Sequence, residues 1–265
     1  MEETVKSEGK CLFCGKTFAK AGINRHLATH LKVKTTGGKS GNSFLVKVET
    51  CKRWGTTPYF LSLWMDGGAT MENLDGFLRD IWLECCGHLS AFFDPAIRKN
   101  RGGMFGMMNG FEDDEDDEEE NDEGYDFFSD ELPGQIPMRK KAKDVLCKGK
   151  VLDYEYDFGS TTRLAITVIE QYPVKAEEKI VLLSRNEPPK ITCTICKKAV
   201  ATQICPFCCY DELEALCDKC APKHTKICED FDEESFSSVA NSPRMGVCGY
   251  EGGVIDTERD RYVGK

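Results

Sequence analysis

The sequence has no apolar run near the roughly 20 residues that a membrane helix requires. Histidines number only four and tryptophans three. The opening stretch, MEETVKSEGK, lacks the apolar core of a signal peptide. These absences set the expectation of a cytoplasmic protein with no membrane partner. The chain also has no glycine-rich phosphate loop between a strand and a helix, and no serine-centred elbow. No zinc site with an open coordination position can be written from it. Enzymatic activity is therefore left open, with the balance against it. No catalytic residue and no organic cofactor site is assigned.

What the chain does have is cysteine, fifteen in 265 residues. Four pairs stand two residues apart, Cys11/Cys14, Cys193/Cys196, Cys205/Cys208 and Cys217/Cys220. Secreted disulfide scaffolds are usually shorter and lack such pairing. Paired thiols beside histidines are the pattern of structural zinc in a reducing compartment.

The net charge of −10 conceals two opposed regions. Glu112 to Glu131 holds fourteen acids and no base, and without them the chain would carry +4. The first forty residues carry eight Lys/Arg against three Glu. The head is basic and one internal segment is strongly acidic.

These shifts divide the chain. A small finger is expected over 1–34 and a linker over 35–42. A central domain follows over 43–184, with a disordered acidic insertion at 109–131. A linker at 185–190 leads to a paired-zinc module at 191–230 and a polar tail at 231–265. In the central domain, strands are expected at Phe44–Glu49, Tyr59–Met65, Val151–Phe158, Thr162–Glu170 and Ile180–Leu183. Leu74, Phe77, Leu78, Ile81, Trp82 and Cys85 form one apolar helical face, with Thr70 or Asn73 as cap and Gly87 as stop. The fold class is α+β: a mixed or antiparallel central sheet with a packed amphipathic helix, flanked by two small zinc modules. The hairpin around Gly159 calls for an odd loop, because an even one would place Asp153, Glu155 and Asp157 on the buried face. The expected register sets Tyr156 opposite Leu164 and Asp157 opposite Arg163.

Cys11, Cys14, His26 and His30 supply the ligands of a two-Cys, two-His finger, with eleven residues between the pairs where twelve are usual. Phe18 and Ile23 fit its small core. Lys20, Asn24, Arg25, Lys32 and Lys34 could face phosphates. In the C-terminal module, Cys193, Cys196, Cys205, Cys208, Cys217, Cys220, His224 and Cys228 are eight ligands for two zinc ions. A cross-brace would join Cys193/Cys196 to Cys217/Cys220, and Cys205/Cys208 to His224/Cys228. Two sequential sites are the alternative, and Cys209 is a spare for Cys208. Three zinc ions are expected, each in a closed and therefore structural site. Seven thiolates and two zinc ions leave the module anionic, a poor phosphate binder.

Two constellations in the central domain read otherwise. Asp153, Glu155 and Asp157 alternate as a magnesium site might, but such sites need convergent ligands from elsewhere, and a solvated face is expected. Cys85, Cys86 and His88 could bind metal. Cys85 lies on the apolar helix face and His88 follows the stop glycine, so a buried thiol and a turn histidine are expected.

The order of the C-terminal ligands resembles the MYND and B-box class of paired-zinc modules, which implies protein–protein contacts. The strings Leu74–Trp82 (LDGFLRDIW), Gly87–Phe92 (GHLSAF) and Tyr154–Gly159 (YEYDFG) resemble the plasmid pRiA4b ORF-3-like family. So does the tail Asn241–Tyr250 (NSPRMGVCGY). That resemblance implies an α+β fold and an association with plasmids and mobile elements, and brings no catalytic residues. The leading reading is a zinc-stabilised adaptor with a protein partner. The alternatives are a nucleic-acid-binding protein that uses the finger, and a metal-dependent enzyme on nucleic acid that uses the strand carboxylates.

Overall fold

Alternation along two neighbouring strands sets the architecture. Phe44, Val46 and Val48 point to one side of a sheet with Leu61, Leu63 and Met65, while Leu45, Phe60 and Trp64 point to the other. Both sides are buried, so this part of the sheet has a layer on each face. The structure, a computed structural model, describes residues 7–50, 58–99, 132, 134–208, 214–226, 228 and 236–262. The acidic insertion expected at 109–131 and the spare Cys209 lie outside the described residues.

In chain order the elements begin with β1 (Glu8–Lys10), β2 (Thr17–Ala19) and α1 (Lys20–Lys34). Then come β3 (Ser40–Thr50), β4 (Phe60–Asp66), α2 (Met71–Leu78), β5 (Ser90–Phe93) and α3 (Pro95–Lys99). After these follow β6 (Gln135–Ile136), α4 (Ala142–Val145), β7 (Val151–Tyr156), β8 (Thr162–Val174) and β9 (Ile180–Arg185). The C-terminal part contains β10 (Gln203–Ile204), β11 (Ala215–Leu216), α5 (Ala221–His224) and β12 (Ser237–Ser238).

Seven strands form one antiparallel sheet in the order β6-β5-β7-β8-β3-β4-β9. With its covering helices this is an α+β fold. On one face, Leu74 and Leu78 of α2, with Ile81 and Trp82 just after it, pack on the strands. On the other face, Ile23, Leu27 and Leu31 of α1 pack on Leu45, Phe60, Trp64 and Leu183. The finger helix is thus a layer of the central domain. Gly9 also bridges β1 to Asn186 at the sheet edge. A Cβ there would lie 2.7 Å from both Phe60 Cζ and Ser184 Oγ, so only glycine admits the approach.

The helix begins as the capping signals imply. Thr70 Oγ1 accepts from the Asn73 N–H at 3.2 Å, and Asn73 Oδ1 accepts from the Thr70 N–H at 3.1 Å. It ends earlier than Gly87. α2 widens into a π-helical turn over Arg79–Leu83, and Glu84 is already extended. That turn directs Cys85 to His88 away from the helix axis.

The hairpin loop is odd, but its register differs from the expected one by two residues. Tyr156 pairs with Thr162, Tyr154 with Leu164, and Glu155 rather than Asp157 faces Arg163. The cause is Asp157, which leaves the strand with φ 63° and turns its carboxylate to Arg244. Glu155 is likewise buried and paired, with Arg98 at 2.9 Å and Arg163 at 3.2 Å. For Glu155 and Asp157 the expected solvated face is therefore corrected to buried ion pairs.

The segment read as a polar tail packs on the central sheet domain from Asn241 onward. Asn241, Ser242, Arg244 and Tyr250 are fully buried. Arg185, the last residue of β9, donates to the Asn241 carbonyl at 2.6 Å and to Asp260 Oδ1 at 2.5 Å. Ser242 donates to the Trp82 carbonyl at 2.6 Å, and the Val254 N–H to the Asp80 carbonyl at 2.7 Å. No described helix is long and apolar enough to cross a membrane.

Candidate metal centres

Among the described residues, four groups of Cys and His side chains converge so that their ligand atoms lie within 4.8 Å of one another. All their cysteines are free thiols. Tetrahedral zinc with bonds of 2.3 Å to sulfur and 2.0–2.1 Å to nitrogen sets neighbouring sulfurs about 3.8 Å apart, and sulfur and nitrogen about 3.6 Å apart. Each group can be tested against that geometry.

Cys11 and Cys14 sit on the knuckle between β1 and β2, and His26 and His30 lie one turn apart on α1. Gly15, at φ 72°, turns the knuckle, and its N–H returns to the Cys11 carbonyl at 2.8 Å. Cys14 Sγ is 3.3 Å from His26 Nε2, and the two Nε2 atoms of His26 and His30 are 3.1 Å apart. Two imidazoles that aim the same nitrogen at one point, with two sulfurs beside them, suit a cation. Burial, with His30 next to it, holds His26 below its ordinary pKa and so keeps it in the neutral, ligating form.

In the C-terminal part, Cys193 and Cys196 meet Cys217 and Cys220, while Cys205 and Cys208 meet His224 and Cys228. Of the two wirings, the structure has the interleaved one. Cys196 and Cys217 Sγ are 4.0 Å apart. Cys208 Sγ is 3.7 Å from Cys228 Sγ and 3.6 Å from His224 Nε2. Lys197, at φ 54°, closes the first knuckle, and the Ala199 N–H points at Cys196 Sγ at 3.5 Å. Burial works against the Cys193 thiolate, yet the backbone N–H groups of Cys196, Cys217 and Ile195 bring its pKa down to about 6. Burial and the neighbouring sulfurs instead push Cys208 and Cys220 up to about 12. Thiols this crowded ionise together only around a cation.

The fourth group is Cys85, Cys86, His88 and Cys248. From the sequence the first three read as a buried thiol and a turn histidine; the structure brings them together with Cys248. The missing ligand lies in the tail, 160 residues beyond His88, and local spacing does not point to it. The signal that could have found it is the Gly246-Val-Cys248-Gly249 string, a cysteine between glycines. Gly246, Cys248 and Gly249 all have positive φ, at 76°, 50° and 65°, which gives a knuckle-like turn.

Other expected contacts fall out differently. Asn24 is buried and accepts from Ser62 at 2.8 Å, Lys20 pairs with Glu49 at 3.0 Å, and Lys34 pairs with Glu177 at 2.5 Å. Arg25 and Lys32 remain exposed on α1. In a two-Cys, two-His finger, bases are read by helix positions −1, 3 and 6. With α1 starting at Lys20 these are Ala19, Gly22 and Arg25. Two of the three carry no side-chain donor.

No family model matches the chain, and no curated protein matches it. A solved structure of a protein of unknown function from Methanosarcina mazei Go1 is similar, with 16% identity over 55% of this chain and 68% of that one. Its TM-score is 0.34.

Proposed function

We propose that the chain is a zinc-stabilised interaction protein whose metal sites are structural, and that it docks a protein partner through its C-terminal module. One observation carries this reading. In each group foreseen from the sequence, four protein ligand atoms lie within 4.8 Å of one another, enough to complete a tetrahedral set with no corner left for water or substrate. The knuckles also present apolar side chains outward, Ile195 at 43% exposure and Phe207 at 46%. Closed metal sites that display apolar tips suit a partner surface better than a phosphate backbone. Membership of the sheet domain among pRiA4b ORF-3-like proteins is part of the proposal and rests on the sequence strings.

Nucleic-acid binding by the finger is the weaker reading, because α1 uses its apolar face and Asn24 on the sheet. The strand carboxylates also favour no magnesium chemistry, since Glu155 and Asp157 already hold arginines. Affinity capture with the metallated full-length protein, against a Cys217→Ser variant, tests the proposal. A partner retained by the parent and lost by the variant supports it. Salt-dependent gel-shift binding that falls with Arg25→Ala would put the nucleic-acid reading first.

A further inference from the structure

We propose that Cys85, Cys86, His88 and Cys248 bind a zinc ion that clasps the C-terminal strap onto the central sheet. As in the other three groups, the four ligand atoms lie within 4.8 Å of one another. Cys86 Sγ is 3.9 Å from Cys85 Sγ and 3.6 Å from Cys248 Sγ. His88 Nε2 lies 3.0 Å from Cys86 Sγ and 3.3 Å from Cys248 Sγ. Three thiolates and an imidazole in a tetrahedron are a donor set for zinc. A disulfide needs its sulfurs about 2.05 Å apart, and none of these pairs is close to that.

The surroundings support ligation rather than a chance meeting of side chains. His88 turns Nε2 to the sulfurs and Nδ1 towards Asp157 Oδ1, 3.6 Å away. That is the side on which a metal-bound imidazole carries its proton, with a carboxylate to orient it. Arg244 is fully buried, and its Nη2 reaches Cys85 Sγ at 3.6 Å and Asp157 Oδ2 at 2.5 Å. Three thiolates around a divalent ion leave one negative charge, and this guanidinium lies where it is offset. Cys248 is held at φ 50°, a backbone conformation uncommon for a residue with a side chain.

The position of the site gives it a role. The strap leaves the small C-terminal sheet through β12, which pairs with β10. It then crosses to the core at Asn241 and Ser242, reaches Cys248, and buries Tyr250. A metal at Cys248 ties this strap to the end of the π-helical turn, and so fixes the paired-metal module against the sheet. All four positions are protein, so the centre is a fastener and not a catalyst.

Zinc content and hydrogen exchange of the full-length protein, loaded with Zn²⁺ alone, test the clasp. The parent should hold four zinc ions per chain, one for each group. Cys248→Ser should lose one equivalent and deprotect residues 241–255, leaving the finger, 193–208 and 214–226 protected. His88→Cys, which keeps four ligands, should retain the metal and the strap. Cys147→Ser, an exposed cysteine in none of the groups, should change nothing. Cys86 and Cys248 are exposed yet should resist alkylation until zinc is removed. The inference is overturned if Cys248→Ser keeps the parent's zinc content, if both thiols alkylate freely in the loaded protein, or if intact mass shows a Cys86–Cys248 disulfide. Loss of zinc from the other groups with this one retained would instead strike the structural reading of the modules.

Discussion

Replacing Arg244 by leucine should produce one of the largest stability losses available to a single change in the central domain. The guanidinium is fully buried. It donates to Asp157 Oδ2 at 2.5 Å, to the Ser160 carbonyl at 2.6 Å and to Thr162 Oγ1 at 3.3 Å. Leucine leaves the Asp157 carboxylate buried without its charge partner, and removing one member of a buried pair typically costs about 3–5 kcal/mol. A whole domain is stable by only about 5–15 kcal/mol. With a urea slope of about 2 kcal/mol/M, the unfolding midpoint should fall by roughly 1.5–2.5 M. Fluorescence of the buried Trp64 and Trp82 reports it. Adding Asp157→Asn to the leucine variant should recover part of the loss, because the stranded charge is then gone. A midpoint within about 0.25 M of the parent, roughly 0.5 kcal/mol, would refute the reasoning and show that the strap does not bury this pair.

Other expectations follow from the same structure. The Arg244 guanidinium, opposed by burial, holds Asp157 below the usual carboxylate range. Its contribution should be fully present above the unfolded value of about 3.9 and lost as pH falls through the lower folded value; an Asp157→Asn variant should not show that portion of the acid transition in urea titrations. Gly9→Ala should loosen the finger from the sheet edge at a cost of about 1–3 kcal/mol, read as lost exchange protection in β1 and α1 with the β7–β8 hairpin unchanged. Cys217→Ser should release metal from the Cys193 group and disorder the C-terminal part while Val151–Val174 keeps its protection; loss of protection in that hairpin would mean that module and core unfold as one unit. Lowering the pH of metallated protein should free zinc as thiolates and imidazoles take up protons, followed with a colorimetric chelator.

The converging Cys/His groups at both ends were legible because their spacing is local. Cys-x-x-Cys knuckles and a His-x₃-His helix turn need only a few residues to declare themselves. The antiparallel strands and the capped start of α2 were legible for the same reason, in runs of alternating apolar residues and in Thr70-x-x-Asn73. What the sequence hid is long-range. Cys248 stands in a glycine turn that marks it locally but does not say which side chains it will meet, and the polar composition of residues 241–260 reads as solvated until Arg185 and Arg244 are seen to hold it. The hairpin register moved for a related reason. Charge pairing within the hairpin favours Asp157 opposite Arg163, but a tail arginine 87 residues away competes for the same carboxylate. The finger likewise reads as a separate module, and only the structure shows Ile23, Leu27 and Leu31 packed on the sheet.

The most direct measurement is the zinc content of untagged full-length protein purified without chelator, by elemental analysis against a chain concentration from amino-acid analysis. The account predicts one zinc for each converging Cys/His group, four per chain. Three would retain the closed structural sites at the two ends and remove the clasp. One or none would contradict the claim that these side chains are held together by metal.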